Sequence, residues 1–141
     1  MTGDPFSLAR FVEAQADTYP VALAELGAGR KTGHWIWYVF PQLAGLGRSP
    51  MSERYAISGI DEARAYLGHP VLGPRLLECC RALLVHGDTS ATEILGPIDA
   101  RKVRSSMTLF HRAEPDEPVF RHVLDAFFGG VPDPRTDELL R

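Results

Sequence analysis

The chain has 141 residues, 45% hydrophobic and 23% charged, the size and mix of one globular domain able to bury a core without disulfide or metal staples. A net charge of -3 excludes broad electrostatic binding to nucleic acid or to an anionic membrane and leaves room only for a local basic strip. The two cysteines, Cys79 and Cys80, are adjacent and poorly placed to bridge each other. The segment MTGDPFSLAR has no signal-like apolar core, and the longest apolar run, Trp35 to Phe40, is too short to span a bilayer, which together predict a cytoplasmic location.

The punctuation along the chain is of the helix start-and-stop kind. Asp4-Pro5 supplies a cap followed by a first-turn proline, predicting a helix to about Ala16. Asp17 or Thr18 caps a second, short helix through Ala24 and Leu26, stopped by Gly27 and Gly29. GHWIWYVFPQL has strand-like aromatic and β-branched content but no partner strand, and reads as a short buried helical piece. Ser49-Pro50 opens MSERYAI. Ser58 to Asp61 opens DEARAYL, which Gly68 closes. Pro70 or Pro74 opens a longer helix to Gly87, striped by Leu72, Leu76, Leu77, Cys80, Leu83 and Leu84. Ser90 and Glu93 form a capping box. Gly96-Pro97 leads into a long helix broken by Pro115. Asp116 or Glu117 begins another, with Val119, Phe120, Val123, Leu124, Phe127 and Phe128 on one face and Gly129-Gly130 at its end. Asp133-Pro134 caps a last short helix. The expected fold is all-α, a compact multihelical single domain of about seven helices over residues 1–141, with its core over about 5–140.

The long helix carries an unusual polar cluster. With Ile98 at zero on a helical wheel, Leu109 falls near about 20°, Phe110 about 120°, Val103 about 140° and Met107 about 180°. These residues define the buried face. Lys102 at about 40°, Ser106 at about 80° and Asp99 at about 100° lie inside it. Arg101, Arg104, Thr108, His111 and Arg112 fall on the far side and read as solvated. A buried charge needs a partner. Asp99 and Lys102 are i,i+3 and can pair, and Ser106 is one turn beyond Lys102. The cluster is either a satisfied network that ties helices together or the lining of a polar pocket in which Lys102 anchors an anion or moves a proton. A serine–lysine nucleophilic pair has no oxyanion-hole signature to accompany it.

Both tryptophans sit in the segment His34, Trp35, Trp37, Tyr38, Phe40, bracketed by Gly33 and Pro41-Gln42. The segment is either a core plug or a stacking wall for a planar ligand, with His34 and Gln42 supplying hydrogen bonds. Arg30 and Lys31 just upstream read as a solvated turn, and Gln15, at the end of the first predicted helix, reads as solvated too. LAGLGRSP lacks the Gly-Lys-Ser/Thr ending of a phosphate-binding loop. The five histidines show no i,i+4 pair and there is no Cys-x-x-Cys, so no metal site and no cofactor is expected.

FVEAQ (Phe11 to Gln15), GRKTGHWIWYVFPQLAGLG (Gly29 to Gly47), YLGHPVLGPRL (Tyr66 to Leu76), KVRSSMTLF (Lys102 to Phe110) and FFGGVPDPRT (Phe127 to Thr136) stand together in order. On these phrases the chain resembles a small helical domain-of-unknown-function family of uncharacterised bacterial and fungal proteins, often labelled "calpastatin". The resemblance runs from about Pro5 to Leu140 and implies a multihelical single domain. It implies no activity and no catalytic residues, but its signature positions include His34, Trp35, Trp37, Gln42, Lys102, Ser105 and Ser106. The label itself conflicts with the composition, because a compact aromatic-rich chain is unlike a long, polar, disordered inhibitor.

Residue chemistry then frames two expectations. The first is a binding domain or enzyme for a small anionic, nucleotide-like molecule. Lys102 would hold a phosphate with Ser105 or Ser106, Trp35 or Trp37 would stack the planar part, and His34 or Asp99 would transfer a proton. Hydrolysis or group transfer on a nucleotide or ADP-ribose-like compound is its specific form, and these residues do not decide between enzyme and binder. The second is a helical protein-interaction module without catalysis, in which the cluster is structural; a bare scaffold is the remaining case.

Overall fold

Nine helices run through residues 3–141, the part of the chain that the computed structural model describes, and helix accounts for 65% of it with no strand. They are α1 (Ala9–Ala28), α2 (Ile36–Val39), α3 (Pro50–Arg54), α4 (Ile60–Gly68), α5 (Leu72–Leu84), α6 (Ala91–Leu95), α7 (Pro97–Ala113), α8 (Pro118–Phe128) and α9 (Pro134–Leu140). The expected count of about seven is too low because short pieces hold as helices wherever a cap or the core fixes them. Ser49, Ser90, Glu117 and Asp133 each accept a backbone N–H at the start of their helix, from Ser52, Glu93, Val119 and Thr136. α2 is a single turn with no side-chain cap. It persists because Ile36, Tyr38 and Val39 are buried.

The N-terminal expectation is overturned. One helix replaces the two predicted pieces, and Pro20 lies inside it. The buried stripe Phe11, Gln15, Ala22, Leu26 continues past the proline. Packing of α1 against α5 and α2 therefore outweighs the one backbone bond that proline removes. The start moves as well. Asp4 accepts the N–H groups of Leu8 (2.7 Å) and Ala9 (2.9 Å), so the first helical turn begins at Ala9, after Ser7 takes a left-handed conformation (φ 53°). Gln15, expected in water, is buried. Its amide nitrogen donates to the Tyr38 carbonyl (2.6 Å) and the Tyr66 hydroxyl (3.2 Å).

α7 is the central element and packs on α4, α6, α8 and α9. A single hydrophobic cluster joins Phe11, Trp35, Phe40, Tyr66, Phe110 and Phe120 with the inner faces of α5 and α8. Between α4 and α5 the backbones touch. A Cβ at Gly73 would fall inside the van der Waals shell of the Leu67 carbonyl oxygen and 2.9 Å from its carbon. A parallel bridge pairs Leu43 with Ile57 and anchors the loop after α2 to the segment before α4. Arg10 ties the same region together. Its guanidinium donates to the carbonyls of Phe6, Ser7, Arg54 and Ala56 and pairs with Glu62 at 2.9 Å. Among the described residues no helix is long and apolar enough to cross a membrane.

Candidate functional site

The wheel places the inner face of α7 correctly and fails in its first turn and on the far side. Val103, Ser106, Met107, Leu109 and Phe110 are buried, but Ile98 is 68% exposed and Thr108 is fully buried. Ile98 lies in the first turn, and a wheel with one buried side does not describe a helix with partners on several sides. For the same reason Arg104 and Arg112 are half-buried rather than solvated. Arg104 donates to the carbonyls of Val131 and Pro132, and Arg112 grips Asp137 through Nε (2.8 Å) and Nη2 (2.9 Å). Thr108 and Ser105 bond back to the carbonyls of Arg104 and Arg101. They also reach the Asp133 region, where the Thr108 hydroxyl accepts the Asp133 N–H and the single Ser105 hydroxyl proton is shared between the Arg101 carbonyl and the Asp133 carboxylate. Ser105 is thus part of the joint to α9.

The cluster around Asp99 is assembled from three places. Near the end of α1, Glu25 gathers the turn that follows. Its carboxylate accepts the N–H groups of Thr32 and Gly33 (both 2.8 Å), the Thr32 hydroxyl (3.0 Å) and the Trp35 indole N–H (2.9 Å). Burial by itself pushes the Glu25 carboxyl up, but these donors together outweigh it and pull it down to about 2. The Lys31 N–H meets the Ile94 carbonyl (2.8 Å), which pins the turn to α6. The Lys31 side chain, only 6% exposed, then reaches Asp99 in the first turn of α7, with Nζ 2.6 Å from Oδ2, and also donates to the Gly33 carbonyl. Lys31 is therefore no solvated turn residue.

The other carboxylate oxygen, Oδ1, lies 3.7 Å from the Lys102 ammonium. Each lysine sits on a tryptophan. Lys31 Nζ is 5.0 Å from the Trp35 ring and Lys102 Nζ 5.0 Å from the Trp37 ring, within cation–π range. Two cations thus share one anion, and the closer contact belongs to Lys31. Lys102, with its side chain 21% exposed, holds the charge that is less well compensated.

Two buried polar atoms nearby have no hydrogen-bond partner among the described residues, Trp37 Nε1 and Ser106 Oγ. Ser106 follows Lys102 by one turn of α7, and unlike Ser105 and Thr108 it does not bond back along the helix. A buried donor left unpaired is costly. Of the remaining candidates, Trp35 is fully buried, so its ring belongs to the core. Trp37 and Gln42 are half-buried and His34 is exposed. The Gln42 carbonyl takes the Ile57 N–H (2.8 Å) in the bridge. Among the described residues, concavities of about 260–530 Å³ lie on several faces, and none of these is lined by His34, Trp37 or Lys102. Among the described residues no three His, Cys, Asp or Glu side chains gather into a metal-holding group.

Fold and cluster together describe a helical domain built around a central helix whose Asp99 and Lys102 join Lys31, from the turn after α1, in a Lys–Asp–Lys network on a pair of tryptophans. A family model described as a protein of unknown function, DUF1810, matches residues 5–140. The chain belongs to the DUF1810 family. This replaces the calpastatin-labelled family that the sequence phrases suggest, to which neither the family match nor the structural neighbour points. The neighbour is the crystal structure of the conserved hypothetical protein Rv1873 from Mycobacterium tuberculosis. It is 52% identical, with 97% of this chain and 98% of that one covered and a TM-score of 0.95. Among curated proteins none matches the sequence.

Proposed function

We propose that the domain binds a small, nucleotide-like anion at Lys102. The observation that carries this reading is the unequal sharing of Asp99: Lys31 takes it at 2.6 Å, and Lys102 is left at 3.7 Å, partly desolvated over Trp37. An anionic group would complete the pairing of Lys102. Stacking of the planar part falls to the outer face of Trp37, since Trp35 is enclosed. Asp99, with an ammonium against each oxygen, is engaged in holding the lysines. If the domain is an enzyme for hydrolysis or group transfer, the exposed His34 is the better placed of the two for proton transfer.

The test is isothermal titration and thermal shift with ADP, ADP-ribose and inorganic phosphate, on the native protein and on Lys102→Met. A ligand at about a hundred times its dissociation constant adds roughly 2.7 kcal/mol, which raises the melting temperature by several degrees. Such a shift, lost in Lys102→Met while the fold survives, supports the reading. No shift with any of these, together with a strong loss of stability in Lys102→Met, overturns it and makes the network structural. One observation favours the interaction module instead. Pro20, Val21, Ala24 and Ala28 line a shallow, mostly apolar depression of about 530 Å³ on α1, a helix face of the kind that partners cover.

A further inference from the structure

Another side of α7 carries a cationic concavity, independent of the Lys102 network. About 360 Å³ in volume, it lies between α6, α7 and α8, and Arg101, Arg104, Phe127, Phe128, Ser90 and Thr92 are among its lining residues. Arg101 and Arg104 are one turn apart on α7. Neither forms an ion pair among the described residues, and no carboxylate lines the cavity. In a chain of net charge -3, the hollow thus has two arginines and no acid in its lining.

Arg104 is also held in place. Its Nε donates to the Val131 carbonyl (2.9 Å) and its Nη2 to the Pro132 carbonyl (3.0 Å). The loop after α8 thereby fixes the guanidinium plane and leaves the remaining N–H groups without a partner among the described residues. Asp133, next along the chain, forms no ion pair with it. The Asp133 Oδ2 is taken by the Ser105 hydroxyl (3.2 Å), the Thr136 N–H (3.0 Å) and the Thr136 hydroxyl (2.5 Å). Arg101 is exposed, able to swing onto whatever Arg104 holds. The wall beside them is formed by the half-buried rings of Phe127 and Phe128.

A pre-oriented arginine, an exposed arginine and an aromatic wall suit one kind of guest. We infer that this cleft binds a small phosphorylated aromatic molecule. The phosphate would lie between the two guanidiniums, whose fork geometry matches its oxygens. The ring would lie against Phe127 and Phe128. A volume of about 360 Å³ falls at the small end of ligand pockets, which fits a single ring with its phosphate better than a dinucleotide.

The test is calorimetric titration with phenyl phosphate, with inorganic phosphate and phenol as controls, on native protein, Arg101→Met and Lys102→Met. Arg101 is exposed, so its variant is expected to keep the native melting temperature without ligand. The inference expects phenyl phosphate to bind at least tenfold more tightly than either control and to lose at least tenfold in Arg101→Met. Binding no tighter than phosphate alone, equal affinity in Arg101→Met, or a loss confined to Lys102→Met would each overturn it, the last by moving the phosphate to the Lys102 network.

Discussion

Replacing Arg10 with methionine tests the joint that closes the N-terminal half of the fold. Glu62 is buried, and its carboxylate has two partners, the Arg10 guanidinium (2.9 Å) and the Ser58 N–H (2.9 Å). Methionine keeps most of the aliphatic stem but removes the guanidinium, which lies 4.4 Å from the Phe11 ring centroid. Glu62 is then left charged and buried with one donor, and the carbonyls of Phe6, Ser7, Arg54 and Ala56 lose theirs. Removing one partner of a buried ion pair costs about 3–5 kcal/mol, and for a chain of this length that lowers the melting temperature by roughly 10–15 °C. Urea unfolding with an unchanged m-value measures it directly. The double variant Arg10→Met/Glu62→Leu removes the stranded charge and is expected to be more stable than Arg10→Met alone. A single-variant loss below about 1 kcal/mol, within the range of an exposed pair, or a double variant less stable than the single one, would refute the account.

Three further outcomes follow from the same structure. Gly73→Ala forces a Cβ against the Leu67 carbonyl and should cost about 1–3 kcal/mol as overpacking, whereas Gly68→Ala, which meets nothing within 4 Å, should be neutral or slightly stabilising; paired denaturation curves decide. Glu25 titrates at about 2 when folded against 4.5 as its ordinary value, so its contribution is present above pH 4.5 and is lost as pH falls toward 2. Glu25→Gln should therefore be less stable than the native protein at pH 7 and converge with it near pH 2, and a constant gap across that range would contradict the hydrogen-bond cradle. Cys79 and Cys80 are buried, and burial pushes the Cys79 thiol up to about 12 and Cys80 well above its ordinary value. Alkylation by iodoacetamide should track unfolding, and stoichiometric labelling of native protein would show that α5 opens.

How far the chain could be read in advance depended on how local the deciding physics was. The caps at Ser49, Ser90 and Asp133 are settled within three residues, by a side-chain oxygen and a backbone N–H, and they stand where the sequence places them. The break expected before Pro20 failed because the deciding interactions come from α5 and α2, far away in sequence. A signal was present at Gln15, which shares the phase of Phe11, Ala22 and Leu26; a polar residue on an apolar stripe could have been read as buried and bonded. Lys31 offered no comparable signal. Its role depends on Glu25 folding the turn back, on the Ile94 carbonyl holding it, and on Asp99 being presented by a helix that begins 66 residues later in the chain, at Pro97. The wheel could therefore show that Asp99 and Lys102 face inward together, but not that a second lysine competes for the carboxylate. The pair alone is neutral and reads as a tie between turns of one helix. With Lys31 added, two ammoniums compete for one carboxylate and Lys31 holds the closer contact, and the case for an anion at Lys102 begins with that competition.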